Sequence, residues 1–147
     1  MSKTSAFLST SEKKEIAASI KEAENNTIGE IRVFVEKKCD EDPLRRSLKI
    51  FHKLKMNQTK AHTGVLIYVA HDDHKLAIMG DEGIHTRVPE NFWDEAKNLM
   101  TQYFSEGKFA EGLKQAIANC GDQLKKHFPS AGNNPNELSN EVIIGDK

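Results

Sequence analysis

Residues 63–93 read TGVLIYVAHDDHKLAIMGDEGIHTRVPENFW, and this stretch decides the fold class of the chain. Val65 to Ala70 is apolar at every position, which is typical of a central strand covered on both faces. The polar run 71–74 predicts a hairpin turn, and the alternation after it predicts an antiparallel strand ending at Gly80. The stretch therefore predicts two neighbouring strands with an acidic loop, Gly80 to Ile84, at one end of a sheet. Gly83 is expected to supply the positive φ that such a loop needs.

The segment before this hairpin predicts a βαβ unit. Gly29 to Glu36 is predicted to be a strand, because its β-branched residues alternate onto one face. Asp42 and Pro43 mark a helix start, since aspartate caps the free amides and proline fits the first helical position. We expect this helix to end near Gln58 and to bury an apolar stripe made of Leu44, Leu48, Phe51 and Leu54. A strand, a helix and a second strand in this order predict parallel strands joined by a right-handed crossover.

Further helices are predicted on either side of this unit. Ser9 followed by Glu12 fits a capping box, and the helix that it opens is expected to run to Glu24. Pro89 is expected to open a later helix, whose buried stripe would be Phe92, Ala96, Leu99 and Tyr103. The last helix should stop before Pro129 and bury a stripe made of Phe109, Leu113, Ile117, Cys120 and Leu124.

The predicted order of elements, α-β-α-β-β-α-α, indicates an α/β fold. We expect a three-layer α/β/α sandwich around a small mixed sheet that contains one βαβ unit and a hairpin. The 147 residues suit one domain, which we place at residues 1–129. Residues 130–147 are rich in Asn, Ser and Pro and predict a flexible C-terminal tail. Within it, Val142 to Ile144 is a short apolar patch that could dock on the domain.

The composition excludes several classes of protein. With 21 basic and 22 acidic residues and a net charge of -1, the chain lacks the basic excess of a nucleic-acid binder. No apolar run reaches the length of a signal peptide or a membrane span, so we expect a cytoplasmic protein. Two distant cysteines do not make a disulfide framework. Cys39 is expected to be an exposed thiol, and Cys120 a small core residue.

Two motifs give the chain a family resemblance. Gly29-Glu30-Ile31-Arg32-Val33 comes first, followed by Gly80-Asp81-Glu82-Gly83-Ile84 and then by Phe92-Trp93. In their order and spacing they resemble the TPM domain family, over roughly Phe7 to Phe128. That family includes thylakoid-lumen proteins that are similar to acid phosphatases and linked to photosystem II repair, and many bacterial proteins. The resemblance implies an α/β/α sandwich that binds a divalent metal, calcium, near acidic loops at the sheet edge. It also implies an acid phosphatase activity, as proposed for some plant members; we expect a soluble bacterial member.

The metal implied by this resemblance has three candidate ligands, Glu30, Asp81 and Glu82. The antiparallel strand should end beside the start of the parallel strands, which would bring these carboxylates to the same end of the sheet. Calcium takes about six to eight oxygen ligands, and carboxylates, loop carbonyls and water could supply them. In the alternative interpretation, Glu30 and Glu82 are solvated charges at strand ends, and Asp81 only forms a turn.

The opposite end of the sheet is a rival site, because open α/β sheets usually bind ligands at the carboxyl ends of parallel strands. It offers the carboxylates of Glu36, Asp40, Glu41, Asp42, Asp72 and Asp73. Helix capping by Asp42 and turn formation by Asp72 and Asp73 explain part of this cluster without a ligand. His71 and His74 are zinc-ligand types, but their spacing suits a helix and they lie in a predicted turn.

Cys39 and Arg45 have the spacing of a thiol-phosphatase cradle. The carboxylates between them would repel a phosphate dianion, and Pro43 removes one backbone donor, so the spacing is better explained by chance. The sequence contains no Gly-rich phosphate loop of the P-loop type. Metal-activated water is then the main remaining route to phosphate hydrolysis.

Three functions remain open from the sequence. The first is a calcium-binding interaction module, favoured because an acidic cluster occurs without a convincing nucleophile. The second is a metal-dependent acid phosphatase, for which the family resemblance is the main support. The third is a metal-free structural or assembly protein that contacts a protein partner through the apolar patch of the tail. Whether the chain is an enzyme is left undecided, with the balance against it.

Overall fold

The computed structural model describes residues 7–130 and 138–145 of the chain. Its centre is a four-stranded sheet made of β1 (Glu30–Glu36), β2 (Gly64–Ala70), β3 (Lys75–Gly80) and β4 (Ile143–Ile144). The strand order is β3-β2-β1-β4. β1 runs parallel to both β2 and β4, whereas β2 and β3 form an antiparallel hairpin. The mixed sheet and the hairpin are as predicted.

The helices cover both faces of this sheet. They are α1 (Thr10–Ala23), α2 (Pro43–Lys53), α3 (Glu82–His85), α4 (Asp94–Ser105) and α5 (Phe109–His127). One hydrophobic cluster joins α1, α4 and α5 to one face of the sheet, and a second cluster joins α2 to the other face. The predicted three-layer α/β/α architecture is therefore confirmed. None of the helices among the described residues is long and apolar enough to cross a membrane.

Local signals at α1 and α5 act as expected. The hydroxyl of Ser9 accepts the backbone N–H of Glu12, and the Glu12 carboxylate accepts the N–H of Ser9, which completes the capping box. In α5, the predicted stripe is fully buried at Leu113, Ile117, Cys120 and Leu124, and partly buried at Phe109.

The orientation of α2 differs from the prediction. The helix buries Ser47, Ile50 and Phe51 against the sheet, whereas Leu44 is 56% exposed and Leu48 is 47% exposed. Ser47 can face the core because its hydroxyl donates to the carbonyl of Pro43 at 2.7 Å, which satisfies the polar group inside the helix. The two leucines are left on the flank of α2 that lies beside β3.

The predicted loop around Asp81 contains a short helix instead. Asp81 caps α3, and Gly83 has no positive φ there. Gly83 is required for a different reason: a Cβ atom at this position would lie 2.4 Å from the carbonyl oxygens of Ala61 and His62. The helix predicted to open at Pro89 begins only at Asp94, because the preceding residues form turns with backbone bonds such as Asp94 to Asn91.

Part of the C-terminal segment lies against the sheet. Ile143 and Ile144 pair with Phe34 and Val35 and make β4, so the apolar patch docks on its own domain. Leu138 is 9% exposed and belongs to the cluster beneath α2. A mobile tail was predicted for residues 130–147, of which 131–137 and 146–147 fall outside the described residues.

Candidate functional site

The acidic end of the sheet carries Glu30 and Asp81 in one row. Glu30 pairs with Gly64 across β1 and β2, and the N–H of Asp81 donates to the carbonyl of Gly64 at 2.8 Å. The alternation of side chains places all three residues on the face covered by α2. The prediction that these two carboxylates lie at the same end of the sheet is correct.

The residues above Gly64 separate these two carboxylates. The side chains of Leu138 and Met56 and the Met56 carbonyl occupy the space that a Cβ on Gly64 would approach, at 3.4 to 3.6 Å. Glu30 is 2% exposed, and its carboxylate accepts the backbone N–H of Leu138 at 2.6 Å. Glu30 therefore holds the C-terminal segment in place, and its carboxylate faces that segment.

Asp81 has one engaged and one unengaged carboxylate oxygen. Its Oδ1 accepts the backbone N–H of Glu82 at 2.8 Å and caps α3. Its Oδ2 is buried and has no hydrogen bond among the described residues, and Nδ1 of His62 lies 3.3 Å away. A histidine at that distance forms a charged pair with the carboxylate only when it is protonated. Asp81 thus lies in ion-pair range of His62 and keeps one carboxylate oxygen without a hydrogen bond among the described residues.

The predicted calcium triad is not brought together in this arrangement. Glu82 is exposed, Asp81 caps a helix, and the carboxylate of Glu30 accepts the backbone N–H of Leu138. Among residues 7–130 and 138–145, no group of three or more His, Cys, Asp or Glu side chains could hold a metal ion. The calcium site stays a prediction, and the geometry leaves Asp81 and Glu82 as the pair able to contribute to it.

Asp81 lines a groove of about 650 Å³ beside β3, which we call the β3 groove. Its floor is Ile78 to Asp81, and α2 provides one wall through Leu44, Leu48 and Phe51. Val88, Pro89 and Trp93 provide the opposite wall. Charged and titratable groups on its rim are His52, His62, Glu82, His85, Glu90 and Lys97. A pocket of this volume is large enough for a small molecule or a short peptide segment.

At the opposite end of the sheet, most of the rival carboxylates bind other parts of the chain. Arg46 donates to both oxygens of Glu36, at 2.8 and 2.9 Å, and the Tyr68 hydroxyl also donates to this carboxylate. Although burial opposes it, these hydrogen bonds hold the pKa of Glu36 below its usual value. Further contacts are Glu41 with Lys49, Asp42 with the first amides of α2, Asp72 with His71, and Asp73 with the amide of Cys39.

Cys39 was predicted to be exposed but is 4% exposed. Its thiol donates to the carbonyl of Glu41, and Lys75 donates to the carbonyls of both Cys39 and Glu41. These bonds fold the 39–41 loop over the thiol. Arg45 is exposed, and the neighbouring Arg46 is the arginine that binds Glu36. No phosphate cradle is therefore formed by Cys39 and Arg45.

Comparison with known proteins identifies the family. The family model described as the TPM domain matches residues 1–123. This chain belongs to the TPM domain family. A solved structure of similar overall shape is the BA42 protein from the psychrophilic bacterium Bizionia argentinensis. It is 42% identical, with 99% of this chain and all of that chain covered, and a TM-score of 0.88.

Two more distant TPM-fold structures share the architecture alone. The N-terminal domain of cg2496 from Corynebacterium glutamicum is 17% identical, with a TM-score of 0.64 and coverage of 84% of this chain and 78% of that one. An N-terminal domain of a P. gingivalis protein is also 17% identical, with a TM-score of 0.69 and coverage of 86% and 83%. The comparison with curated proteins gave no match.

The site of this TPM domain contains features that sequence reasoning missed. The exposed leucines of α2 were predicted to be core residues, because hydrophobic spacing shows a stripe but not which edge of it faces the sheet. His62 follows no recognisable motif, and its approach to Asp81 depends on the close contact between Gly83 and the 61–62 loop. Gly83 was the one sequence feature that could have indicated this contact, since a glycine inside an acidic segment is also typical of a close approach between two backbone segments.

Proposed function

We propose that this TPM domain is a non-catalytic binding module that takes a divalent cation, calcium first, at Asp81 in the β3 groove. The observation that carries the proposal is the buried Oδ2 of Asp81, which has no hydrogen bond among the described residues. Leaving a buried acceptor unpaired costs about 1–3 kcal/mol, and more for a charged group. A cation in the groove would remove this cost.

The surroundings of Asp81 support a cation over an anion. Glu82 and Glu90 are exposed on the same rim, where Lys97 is the permanently charged basic group. Asp81 and Glu82 would supply carboxylate oxygens, and water would complete the coordination that calcium requires. Glu30, the third predicted ligand, is better explained as the acceptor for Leu138. A protein partner remains part of this proposal, as does a cytoplasmic location.

The acid phosphatase alternative rests on the family resemblance. It would require metal-activated water at Asp81, with a basic group such as Lys97 near the phosphate. Metal-dependent hydrolysis of a generic phosphomonoester at acidic pH by the wild type, but not by Asp81→Asn, would establish it in place of the binding module.

The calcium proposal is tested by titrating the metal-free protein and following backbone amide NMR shifts. We expect saturable shifts centred on Gly80 to Ile84 in the wild type. Asp81→Asn should abolish these shifts, because asparagine carries no charge to bind the ion. Asparagine can still cap a helix, so α3 should be retained. The matched control is Asp72→Asn at the other end of the sheet, which should bind calcium like the wild type.

Two outcomes would contradict this assignment. Unchanged calcium affinity in Asp81→Asn would remove Asp81 as a ligand. Shifts centred on residues 40–42 and 72–73, lost in Asp72→Asn, would move the site to the rival end of the sheet. Retained N–H signals of α3 in both variants would show that the fold is intact.

A further inference from the structure

The floor of the β3 groove is the outer edge of the sheet. Leu44 and Leu48 reach the groove from the helical layer on one face of the sheet, whereas Val88 and Trp93 reach it from the layer on the other face. Because its walls come from opposite faces, the groove runs between the two layers along β3. Among the described residues, β3 has one sheet neighbour, β2.

The hydrogen-bond pattern of the hairpin shows which backbone groups of β3 lie along its outer edge, and of these residues Ile78 and Gly80 line the groove. Asp81 donates to Gly64, so this pair is a hydrogen-bonded pair of the antiparallel ladder. Hydrogen-bonded pairs alternate along such a ladder, which directs the N–H and C=O groups of Leu76, Ile78 and Gly80 away from β2. Within the part of the chain that the structure describes, no other element bonds to these groups.

Ile78 makes this edge unusual. The residue is only 4% exposed, and its outward backbone groups have no hydrogen-bond partner among the described residues. Buried backbone groups are nearly always hydrogen-bonded in folded proteins. An unpaired edge that is enclosed by two walls is suited to accept one more strand.

The walls and the rim indicate what kind of strand fits. Among the described residues, Leu44 and Leu48 are the large hydrophobic side chains that remain exposed, and both line this groove. Three carboxylates, Asp81 on the floor and Glu82 and Glu90 on the rim, line the groove together with one lysine, Lys97, so acidic groups outnumber lysines in its lining. Apolar side chains and a basic group on the occupant would complement both features.

We infer that the β3 groove binds an extended peptide segment of a partner protein, which adds to β3 as a further strand. Its alternate side chains pack on Leu48 and on Trp93, and a Lys or Arg lies beside Asp81. Main-chain hydrogen bonds to Leu76, Ile78 and Gly80 provide binding, and the side-chain pockets provide specificity, as in other strand-addition complexes. The inference rests on the proposed function only in assigning a positive charge to Asp81, and the Lys or Arg of the peptide and a calcium ion are alternative occupants of that carboxylate.

The inference is tested with a displayed library of random ten-residue peptides, selected against the wild-type protein. We expect the selected sequences to alternate apolar residues and to contain Lys or Arg. A selected peptide, made synthetically and titrated into the protein, should shift the amide signals of Leu76, Ile78 and Gly80. N-methylation of the alternate peptide amides that face β3 should weaken binding by about tenfold or more, whereas methylation of the outward amides should not.

Variants on α2 provide the matched comparison. Leu44→Ala with Leu48→Ala should weaken binding of the same peptide by about tenfold, because these two leucines supply exposed apolar contact on the α2 wall. Arg45→Ala with Lys49→Ala changes exposed residues of the same helix that do not line the groove, and should leave the affinity within about twofold. These leucines are exposed, so their loss should not unfold the domain.

Several results would overturn the inference. One is a selection that enriches no sequence, and another is a set of enriched peptides that lacks a basic residue or tolerates methylation of the amides facing β3. Concentration-dependent shifts of Leu76 to Gly80 in the protein alone, together with a dimeric mass, would show that a second copy occupies the edge instead. The calcium titration and the peptide selection are separate experiments. A negative calcium titration would remove the metal proposal alone, and a negative peptide result would remove strand addition alone.

Discussion

Gly83 is the residue that sets the geometry around Asp81. Its N–H donates to the carbonyl of His62 at 2.8 Å, and a Cβ atom would lie 2.4 Å from the carbonyl oxygens of Ala61 and His62. Real Cβ atoms are essentially never this close to backbone oxygens. Any side chain at this position must therefore push the 61–62 loop, and with it the imidazole of His62, away from α3.

Gly83→Ala is expected to lower the free energy of unfolding by about 3 kcal/mol, near the upper end of overpacking costs. Gly107→Ala is the comparison, because Gly107 has φ +76° with nothing within 4 Å of a Cβ atom. That change should cost about 1–2 kcal/mol through backbone strain alone. Urea unfolding of both variants measures the difference, and an alanine at position 83 that costs no more than the one at 107 would disprove the close contact.

At the scale of single residues, the sequence shows which side chains can bind a ligand better than it shows which residues they contact in the fold. Asp81 was predicted as a site residue and lies in the groove, with one oxygen that accepts no hydrogen bond from the described residues. Glu30 was assigned to the same site, but its carboxylate meets Leu138, which lies 108 residues away in sequence. No local pattern marks such a contact, since the tail around Leu138 is polar and resembles a disordered segment.

At the scale of elements, β1, β2, β3, α1 and α5 were predictable because each carries its own local signal, whereas β4 lies in a segment that was predicted to be a flexible tail. Alternation marks β1, a continuous apolar run marks β2, and a capping box marks α1. The rotation of α2 and the start of α4 were not predictable, because both depend on packing. Ser47 replaces Leu44 and Leu48 in the core, and Trp93 precedes α4 without a side-chain cap.

The segment that ends in β4 is expected to stabilise the domain. Leu138→Ala removes a side chain that is 9% exposed and that covers Gly64, and should lower the free energy of unfolding by about 2–3 kcal/mol. Ser139→Ala is the control, since Ser139 is exposed and its replacement should cost less than about 1 kcal/mol. Thermal unfolding of the two variants decides the matter: equal melting temperatures would mean that Leu138 does not pack on the sheet in solution.

At the scale of the whole molecule, two buried carboxylates make stability depend on pH in opposite directions. Burial raises the pKa of Glu24 to about 8, partly opposed by the hydrogen bond from the N–H of Ile31 and reinforced by the charge of Glu30. The pKa of Glu36 is lowered, so the stability that Glu36 contributes is lost only as the pH falls below the ordinary pKa of a glutamate. The fold should therefore lose stability at both ends of the pH range, through different groups.

The loss on the alkaline side belongs to Glu24. Since its folded pKa lies above the ordinary value of 4.5, the folded state binds a proton that the unfolded state has released between 4.5 and about 8. Stability is full below this window and decreases as the pH rises through it, by at most about 1.4 kcal/mol for each pH unit. His71 has a lowered pKa and acts in the opposite direction, but only below its ordinary value of 6.5.

Glu24→Gln isolates this effect between pH 6.5 and about 8, where His71 no longer contributes. Glutamine can still accept the N–H of Ile31 but has no charge to desolvate, so the variant should lose the decline in stability and exceed the wild type at the alkaline end. Urea unfolding at a series of pH values provides the comparison, with the exposed Glu22→Gln as the matched control that should follow the wild type. Parallel pH profiles for the wild type and Glu24→Gln would mean that the Glu24 carboxyl titrates normally, and therefore that the junction between α1 and β1 admits water in solution.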